Sequence, residues 1–234
     1  MTTDRLLPLG EAADGAWLAE RVARAVLGAA ARGVPGVRAE RPRFRLAEDA
    51  AGDGGTAPFP VPPGGLPPGP LRVALDFAAV AGRPLPELAD RVRAALRGAA
   101  EGVLGLVVAE VDLRVTELLD PGQDGAAGPS ADPSAAPSVD PAGNPADPAG
   151  PPGRTLPPAP GHPAALAALA VPGVAGLTDT FGPPLHRPPD GGLRIEVAVT
   201  AGRRLLDVTR ALRTAVTAAA PEATTVTVVV SELR

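Results

Sequence analysis

The stretch LRVALDFAAVAGRPL, residues 71–85, returns in altered form as LRIEVAVTAGRRL, residues 193–205. Each copy opens with alternating apolar and polar side chains, which is the pattern of a half-buried strand, and each ends in an Ala-Gly-Arg turn. The second strand is two residues shorter, which keeps every side chain on its face because a strand has a period of two. A second match, VPGV, stands before each copy, at 34–37 and at 171–174. The sequence therefore predicts an internal repeat.

Working outward from the first copy, the periodicity predicts helices over 16–32 and 85–99. Asp14 is a candidate N-cap of the first helix and Gly33 its candidate end. Strands are predicted over 37–46, 71–77 and 110–116. The apolar stripe of the first helix comprises Leu18, Val22, Ala25, Val26 and Ala29, with Glu20, Arg21 and Arg24 off it. The stripe of the second helix comprises Leu85, Leu88, Val92, Leu96 and Ala99.

The second copy predicts a short helix over 164–170, a strand over 193–199, a helix over 205–219 and a strand over 225–230. The inward side chains of its first strand are Leu193, Ile195, Val197 and Val199. The predicted fold class is therefore α+β, with two α-β-β-α-β units. Each unit is expected to be a small three-stranded sheet covered on one face by helices.

The stretch between the units carries twelve prolines among Ala, Gly, Ser and Asp. It has too few large apolar side chains to offset the entropy of ordering the chain, which predicts a disordered linker. We expect an α/β domain at 1–119 with a flexible loop at 50–70, the Pro-rich linker at 120–160, and a second, degenerate copy of the unit at 161–234.

Composition indicates which partners and compartments to expect. The net charge of −4 gives no strong nucleic-acid signal, since non-specific binding to phosphates depends on an excess of basic residues. The chain has no Cys, which suits a reducing compartment. It shows no signal-peptide h-region and no uncharged apolar run of membrane-spanning length, so we expect no direct membrane insertion and a cytoplasmic location. Every basic residue is Arg, which we interpret as the codon bias of a high-GC bacterial genome.

The sequence gives no catalytic, cofactor-binding or metal-binding residues. Its two histidines, His162 and His186, each lie beside Pro in predicted loops, whereas a general base or metal ligand must be held rigidly. The Gly-rich stretches lack the spacing of phosphate-binding loops. The carboxylate pairs, Glu87 with Asp90 and Glu110 with Asp112, are interpreted as parts of solvated charged faces. We therefore expect a protein that is not an enzyme and needs no cofactor.

The first unit resembles the alkaline shock protein family, the Gls-type general stress proteins of the cell envelope. The resemblance rests on ADG at 13–15, VPGV at 34–37, the turn Ala81-Gly82, the helix opening LPELA at 85–89 and the pair Gly105-Leu106 before a Val-rich strand. The sequence departs from the family at Ala81, where an aromatic is usual, and at Val103-Leu104, where Met-Thr is usual.

The resemblance implies a non-enzymatic role in envelope stress. It implies a cytoplasmic scaffold or adaptor that is recruited to the membrane by a protein partner such as an integral membrane anchor. The topology leaves alternatives open: a ring- or oligomer-forming module that self-associates, or a KH-like RNA-binding protein. A KH domain would need a G-x-x-G loop with a basic residue between two helices, and the sequence has no such stretch.

Overall fold

A computed structural model describes residues 4–47, 59–120 and 162–234 of the chain. These ranges form a mixed α+β structure with two sheets. The strands are β1 (Leu6–Leu9), β2 (Ala16–Ala19), β3 (Val37–Ala39), β4 (Arg43–Leu46), β5 (Leu71–Val80), β6 (Val108–Leu119), β7 (Val174–Leu177), β8 (Leu185–His186), β9 (Leu193–Val199) and β10 (Val226–Leu233). The α-helices are α1 (Glu20–Arg32), α2 (Leu85–Ala99), α3 (Pro163–Leu169) and α4 (Leu205–Ala219).

The predicted linker, apart from Asp120, and residues 50–58 of the predicted flexible loop lie outside the described residues. Within the described ranges, none of the helices combines the length and the apolar character that crossing a bilayer requires.

The smaller sheet is built around β5. Strand β6 runs parallel to it and pairs along its whole length, from Leu71 to Val80. Strands β3 and β4 pair antiparallel with the two ends of β5, and therefore share its other edge. Helix α2 connects β5 to β6, as a crossover between parallel strands requires. The sequence predicts β5, α2 and β6 correctly in kind and place, whereas the strand expected over 37–46 is divided into β3 and β4.

The larger sheet has the order β1-β2-β10-β9-β7, and β8 also pairs with β9. Strands β9 and β10 are parallel and joined by α4, and β7 and β8 lie antiparallel on the other edge of β9. The prediction of two three-stranded sheets is wrong here, because β2 of the N-terminal segment pairs in parallel with β10 and carries β1 with it. The expectation of one covered face is also wrong for β9, every residue of which is buried.

The helix predicted over 16–32 begins only at Glu20, because residues 16–19 form β2. Its buried face includes Val22, Ala23, Leu27 and Ala31, while Ala25 and Ala29 of the predicted stripe are exposed. Glu20, expected to point outward, is 2% exposed. It can be buried because Arg5 and Arg24 donate to its carboxylate at 2.8 and 2.7 Å.

Helix α2 follows its predicted stripe more closely. Leu88, Val92 and Leu96 are buried in one hydrophobic core with the inward residues of β5. Leu85, predicted to be inward, is 37% exposed because it lies at the first residue of the helix, above the end of the sheet.

The hydrophobic core is continuous between the N-terminal and C-terminal halves of the described chain. Leu206 of α4 packs against Gly10 and Gly105. Gly105 has a φ of +83°, and a Cβ built on it would lie 2.4 Å from the Cβ of Leu206. Glycine is therefore required there both by the backbone conformation and by the close approach of α4. The expected division into domains at 120–160 stays a prediction about independent folding, and this shared core limits that independence.

An ion pair also joins the two halves. Asp14, predicted as a helix N-cap, instead ends a 3-10 turn (Ala12–Asp14) and accepts the backbone N–H of Glu11 at 2.8 Å. Arg210 of α4 donates to both carboxylate oxygens, at 2.7 and 3.1 Å. Burial raises the pKa of Asp14, but the hydrogen bonds from Arg210 and Glu11 and the charges of Arg210 and Arg213 outweigh it and leave that pKa below its ordinary value.

We expect the substitution Leu96→Ala to lower the free energy of unfolding by about 2–5 kcal/mol, since it removes buried methyl groups and leaves a cavity. Leu96 is 1% exposed. Arg91→Ala is the matched control on the same helix, because Arg91 is 57% exposed, and it should change stability by no more than about 0.5 kcal/mol. Urea denaturation followed by the fluorescence of Trp17 measures both. Equal midpoints for the parent and Leu96→Ala would contradict the packing of α2.

The Asp14 contact predicts a specific pH dependence. A carboxylate whose pKa is depressed in the folded state stabilises the fold above its unfolded pKa of about 3.9 and loses that effect as the pH falls through the folded pKa. Asp14→Asn should therefore cost about 1 kcal/mol at neutral pH and progressively less as the pH falls below the unfolded pKa. Thermal melts of the parent and variant between pH 2.5 and 7 test this. A difference that persists unchanged at the lowest pH would show that Asp14 does not act through its charge.

Candidate functional site

The two histidines belong to different parts of the fold. His162 precedes α3, and its Nδ1 is buried and has no hydrogen-bond partner in the part of the chain that the structure describes. His186 belongs to β8 and is exposed. Within the described ranges, no group of three or more His, Cys, Asp or Glu side chains is placed to hold a metal ion.

The two carboxylate pairs singled out in the sequence are paired with arginines. Asp90 lies 2.6 Å from Arg93, and Glu87 lies 4.0 Å from Arg91, all of them on the exposed side of α2.

The second carboxylate pair lies on β6. Glu110 lies 3.3 Å from Arg72, which also donates to Asp112. The hydrogen bond from Arg72 lowers the pKa of Asp112.

A cavity of about 250 Å³ opens on the face of the larger sheet that was predicted to be polar and exposed. Its floor is formed by the starts of β9 and β10, including Leu193, Arg194 and Thr227. The walls are mainly prolines from two segments, Pro60, Pro62, Pro63, Pro188 and Pro189. His186 lies at its rim, and the lining residues within the described ranges include no Asp or Glu.

The first wall of the cavity is held by β1 and β2. Leu6 exchanges backbone hydrogen bonds with Gly64 and Leu66, at 3.1 and 2.8 Å. Trp17 donates its indole N–H to the backbone oxygen of Leu66 at 3.0 Å. These bonds fix the segment 59–66 over the sheet. The wall therefore depends on strands that the sequence analysis did not predict.

Arg194 is the charged group of this cavity. It is 9% exposed, and one of its terminal nitrogens donates to the backbone oxygen of Phe181 at 3.3 Å. Its Nε is buried and has no hydrogen-bond partner among the described residues. No carboxylate of those residues lies within ion-pair distance of its guanidinium, and the buried Glu196, two residues along the same strand, is connected to it through the Phe181 peptide group. This arrangement attracts an anion.

Glu196 lies two residues further along β9 and is fully buried. Among the described residues, the donors to its carboxylate are all neutral: the Thr178 hydroxyl at 3.0 Å, the Thr180 N–H at 2.8 Å and the Phe181 N–H at 2.9 Å. The Thr178 hydroxyl also lies 2.5 Å from that of Ser231. Glu196 thus holds the loop after β7, including the carbonyl that orients Arg194.

The free edge of β6 is a second candidate surface. In the part of the chain that the structure describes, this strand pairs only with β5. It is twelve residues long, and Val115 and Leu118 are 36% and 59% exposed. Val103 and Val107, just before the strand, are also exposed.

Sequence reasoning missed Arg194 and Glu196 as buried groups because they occupy the polar positions of an alternating strand. The alternation is typical of a strand with one wet face, and the covering segment comes from elsewhere in the chain. Self-association, in contrast, was among the alternatives that the topology left open, although the sequence did not indicate which strand edge would carry it.

Comparison with protein-family models, curated proteins and solved structures finds no match to this chain.

We expect Glu196→Gln to destabilise the protein by about 1–3 kcal/mol. The amide NH₂ of Gln would face a backbone N–H that now donates to the carboxylate, leaving a buried donor unsatisfied. Glu87→Gln is the control, since Glu87 is 66% exposed, and it should leave the melting temperature unchanged. If Glu196→Gln melted with the parent, the three hydrogen bonds to this carboxylate would not be holding the loop.

Proposed function

We propose that this protein is a non-enzymatic scaffold that binds its protein partner through the free edge of β6, and that its first partner is a second copy of the chain. The observation that carries the proposal is a twelve-residue edge strand with exposed Val115 and Leu118. Such an edge presents unpaired backbone N–H and C=O groups, which another strand can satisfy.

The proposal includes a duplication of one unit, which the backbone of the two halves supports. Both β5 and β9 carry two antiparallel strands on one edge and a parallel strand on the other, and a 15-residue helix follows each. The glycines of the two Ala-Gly-Arg turns have φ values of +89° and +92°. The backbone hydrogen bonds Val80 to Gly36 (3.0 Å) and Leu71 to Val107 (2.8 Å) have counterparts in Thr200 to Gly173 (2.8 Å) and Leu193 to Thr225 (2.8 Å).

If the halves are copies, β6 and β10 are equivalent strands in different surroundings. The outer edge of β10 is covered by β2, with Val228, Val229 and Val230 beside Ala16, Trp17 and Leu18. The outer edge of β6 has no such cover among the described residues. The unit therefore has a position that accepts an additional strand, and in the first copy that position is open.

Two β6 strands are complementary to each other when paired antiparallel about Leu113. In that register Val111 lies opposite Val115, and Asp112 lies opposite Arg114, each contact occurring twice. Apolar and opposite-charge cross-strand pairs both stabilise a sheet. A twofold axis of this kind gives a closed dimer with a continuous sheet across it.

The cellular role that we propose is envelope stress, in a cytoplasmic scaffold or adaptor brought to the membrane by an integral membrane partner. It is supported by the family resemblance of residues 13–118. Affinity capture from cells grown with and without envelope stress tests this role. Enrichment of a membrane protein under stress supports it, and an unchanged set of captured proteins contradicts it.

For the dimer, we expect light scattering after size-exclusion chromatography to give a dimer mass that falls on dilution. Arg114→Glu places a like charge opposite Asp112 in both contacts, so the dimer Kd should rise by roughly tenfold or more. Val115→Lys should act in the same direction. Arg97→Glu is the matched control, because Arg97 is exposed on α2 rather than on the strand. A monomer at every concentration, or a dimer insensitive to Arg114→Glu, would refute pairing through β6.

A further inference from the structure

We propose that the cavity over the larger sheet binds a small organic monocarboxylate, with the carboxylate on Arg194 and an apolar body against the prolines. The site is separate from the edge of β6 and does not depend on the scaffold function. It is a binding site that the sequence did not indicate.

The charge of the cavity determines the sign of its ligand. Arg194 is 9% exposed, and among the described residues its Nε has no hydrogen-bond partner. A buried N–H group without an acceptor costs free energy, and an anion that accepts from it recovers that cost as binding affinity. The described residues that line the cavity include no Asp or Glu that would repel the ligand.

The geometry of the guanidinium favours a carboxylate. One terminal nitrogen is occupied by the carbonyl of Phe181, at 3.3 Å, which fixes the plane of the group. A guanidinium is planar and has further N–H donors beyond the one bonded to Phe181, and such a group can bind a carboxylate in a bidentate manner. Thr227 lies beside Arg194 in the β9–β10 register and lines the same cavity, so its hydroxyl is on the same face as the fork.

The walls determine the rest of the ligand. The five wall prolines have no N–H groups and no charge, and they cannot replace the hydration of a dianion such as phosphate. They can cover an apolar body. The cavity, at about 250 Å³, is smaller than the roughly 300–1,000 Å³ of sites for drug-sized ligands, which points to a molecule with few non-hydrogen atoms.

Isothermal titration of the full chain with hexanoate, 1-hexanol and inorganic phosphate tests the proposal. Hexanoate should bind more tightly than either of the others, because only hexanoate has both the charge and the apolar body. Binding of 1-hexanol equal to that of hexanoate would overturn the role of Arg194. Phosphate binding more tightly than hexanoate, or no binding of hexanoate, would overturn the ligand class.

Variants locate the binding. Arg194→Gln should weaken hexanoate binding by roughly tenfold to a hundredfold, the range expected for losing a charge-assisted hydrogen bond. Arg187→Gln is the control, since Arg187 is an exposed arginine just beyond the rim residue His186, paired with Glu222. Val61→Trp is a second variant that tests the site if Arg194→Gln does not fold. Val61 lines the cavity and is 39% exposed, so the larger side chain should fill the cavity and weaken hexanoate binding. Unchanged affinity in both Arg194→Gln and Val61→Trp would place hexanoate elsewhere.

Discussion

Strand β2 lies between β1 and β10, and its pairing with β10 connects the start of the chain to its end. The pairing is parallel, so no tight turn can produce it, and it forms only when the C-terminal half is in place. It places Trp17 where the indole N–H reaches the carbonyl of Leu66, and this bond secures the segment that walls the cavity. It also sets the first residue of α1, and with it the buried ion pairs of Glu20.

The elements that the sequence predicted well are those with local signals. Strand β5 and helices α2 and α4 have long, regular periodicities and are bounded by Gly or Pro turns, so their kind and extent follow from short-range physics. Strands β1 and β2 are four residues each, LLPL and AWLA, and Ala and Leu favour helices. The strand conformation of β2 is imposed by a partner more than two hundred positions away, and no local pattern records that partner.

The candidate site illustrates the same limit. In LRIEVAV the residues Arg194 and Glu196 alternate with apolar ones, and the same letters describe a strand with one face in water. Both become buried because the segment 59–66 and the loop after β7 cover that face. A strand buried on both faces differs from one with a face in water by the hydrogen bonds that Glu196 accepts from the covering loop. The sequence shows only an acidic residue in a strand and gives no sign of those bonds. The prolines of residues 60–63 led the sequence analysis to predict a loop, and nothing in the sequence indicated that this loop lines a cavity.

Strands β6 and β10 each lie parallel to a central strand, β5 and β9, but only β10 is covered on its other edge by the N-terminal strands β1 and β2. The pairing of β2 with β10 extends the larger sheet, in which every residue of β9 is buried, and holds the segment that walls the cavity beside Arg194. Because β1 and β2 pair with β10, the edge of β6 is uncovered among the described residues, with Val115 and Leu118 exposed. Long exposed edges of this kind invite further pairing unless charge or irregularity blocks them. In an antiparallel pair of β6 strands, Asp112 and Arg114 lie opposite each other only in the register centred on Leu113, so this charge contact favours that register. Specificity at this edge then comes from the register of the charges, while the energy of association comes from backbone hydrogen bonds and apolar contacts.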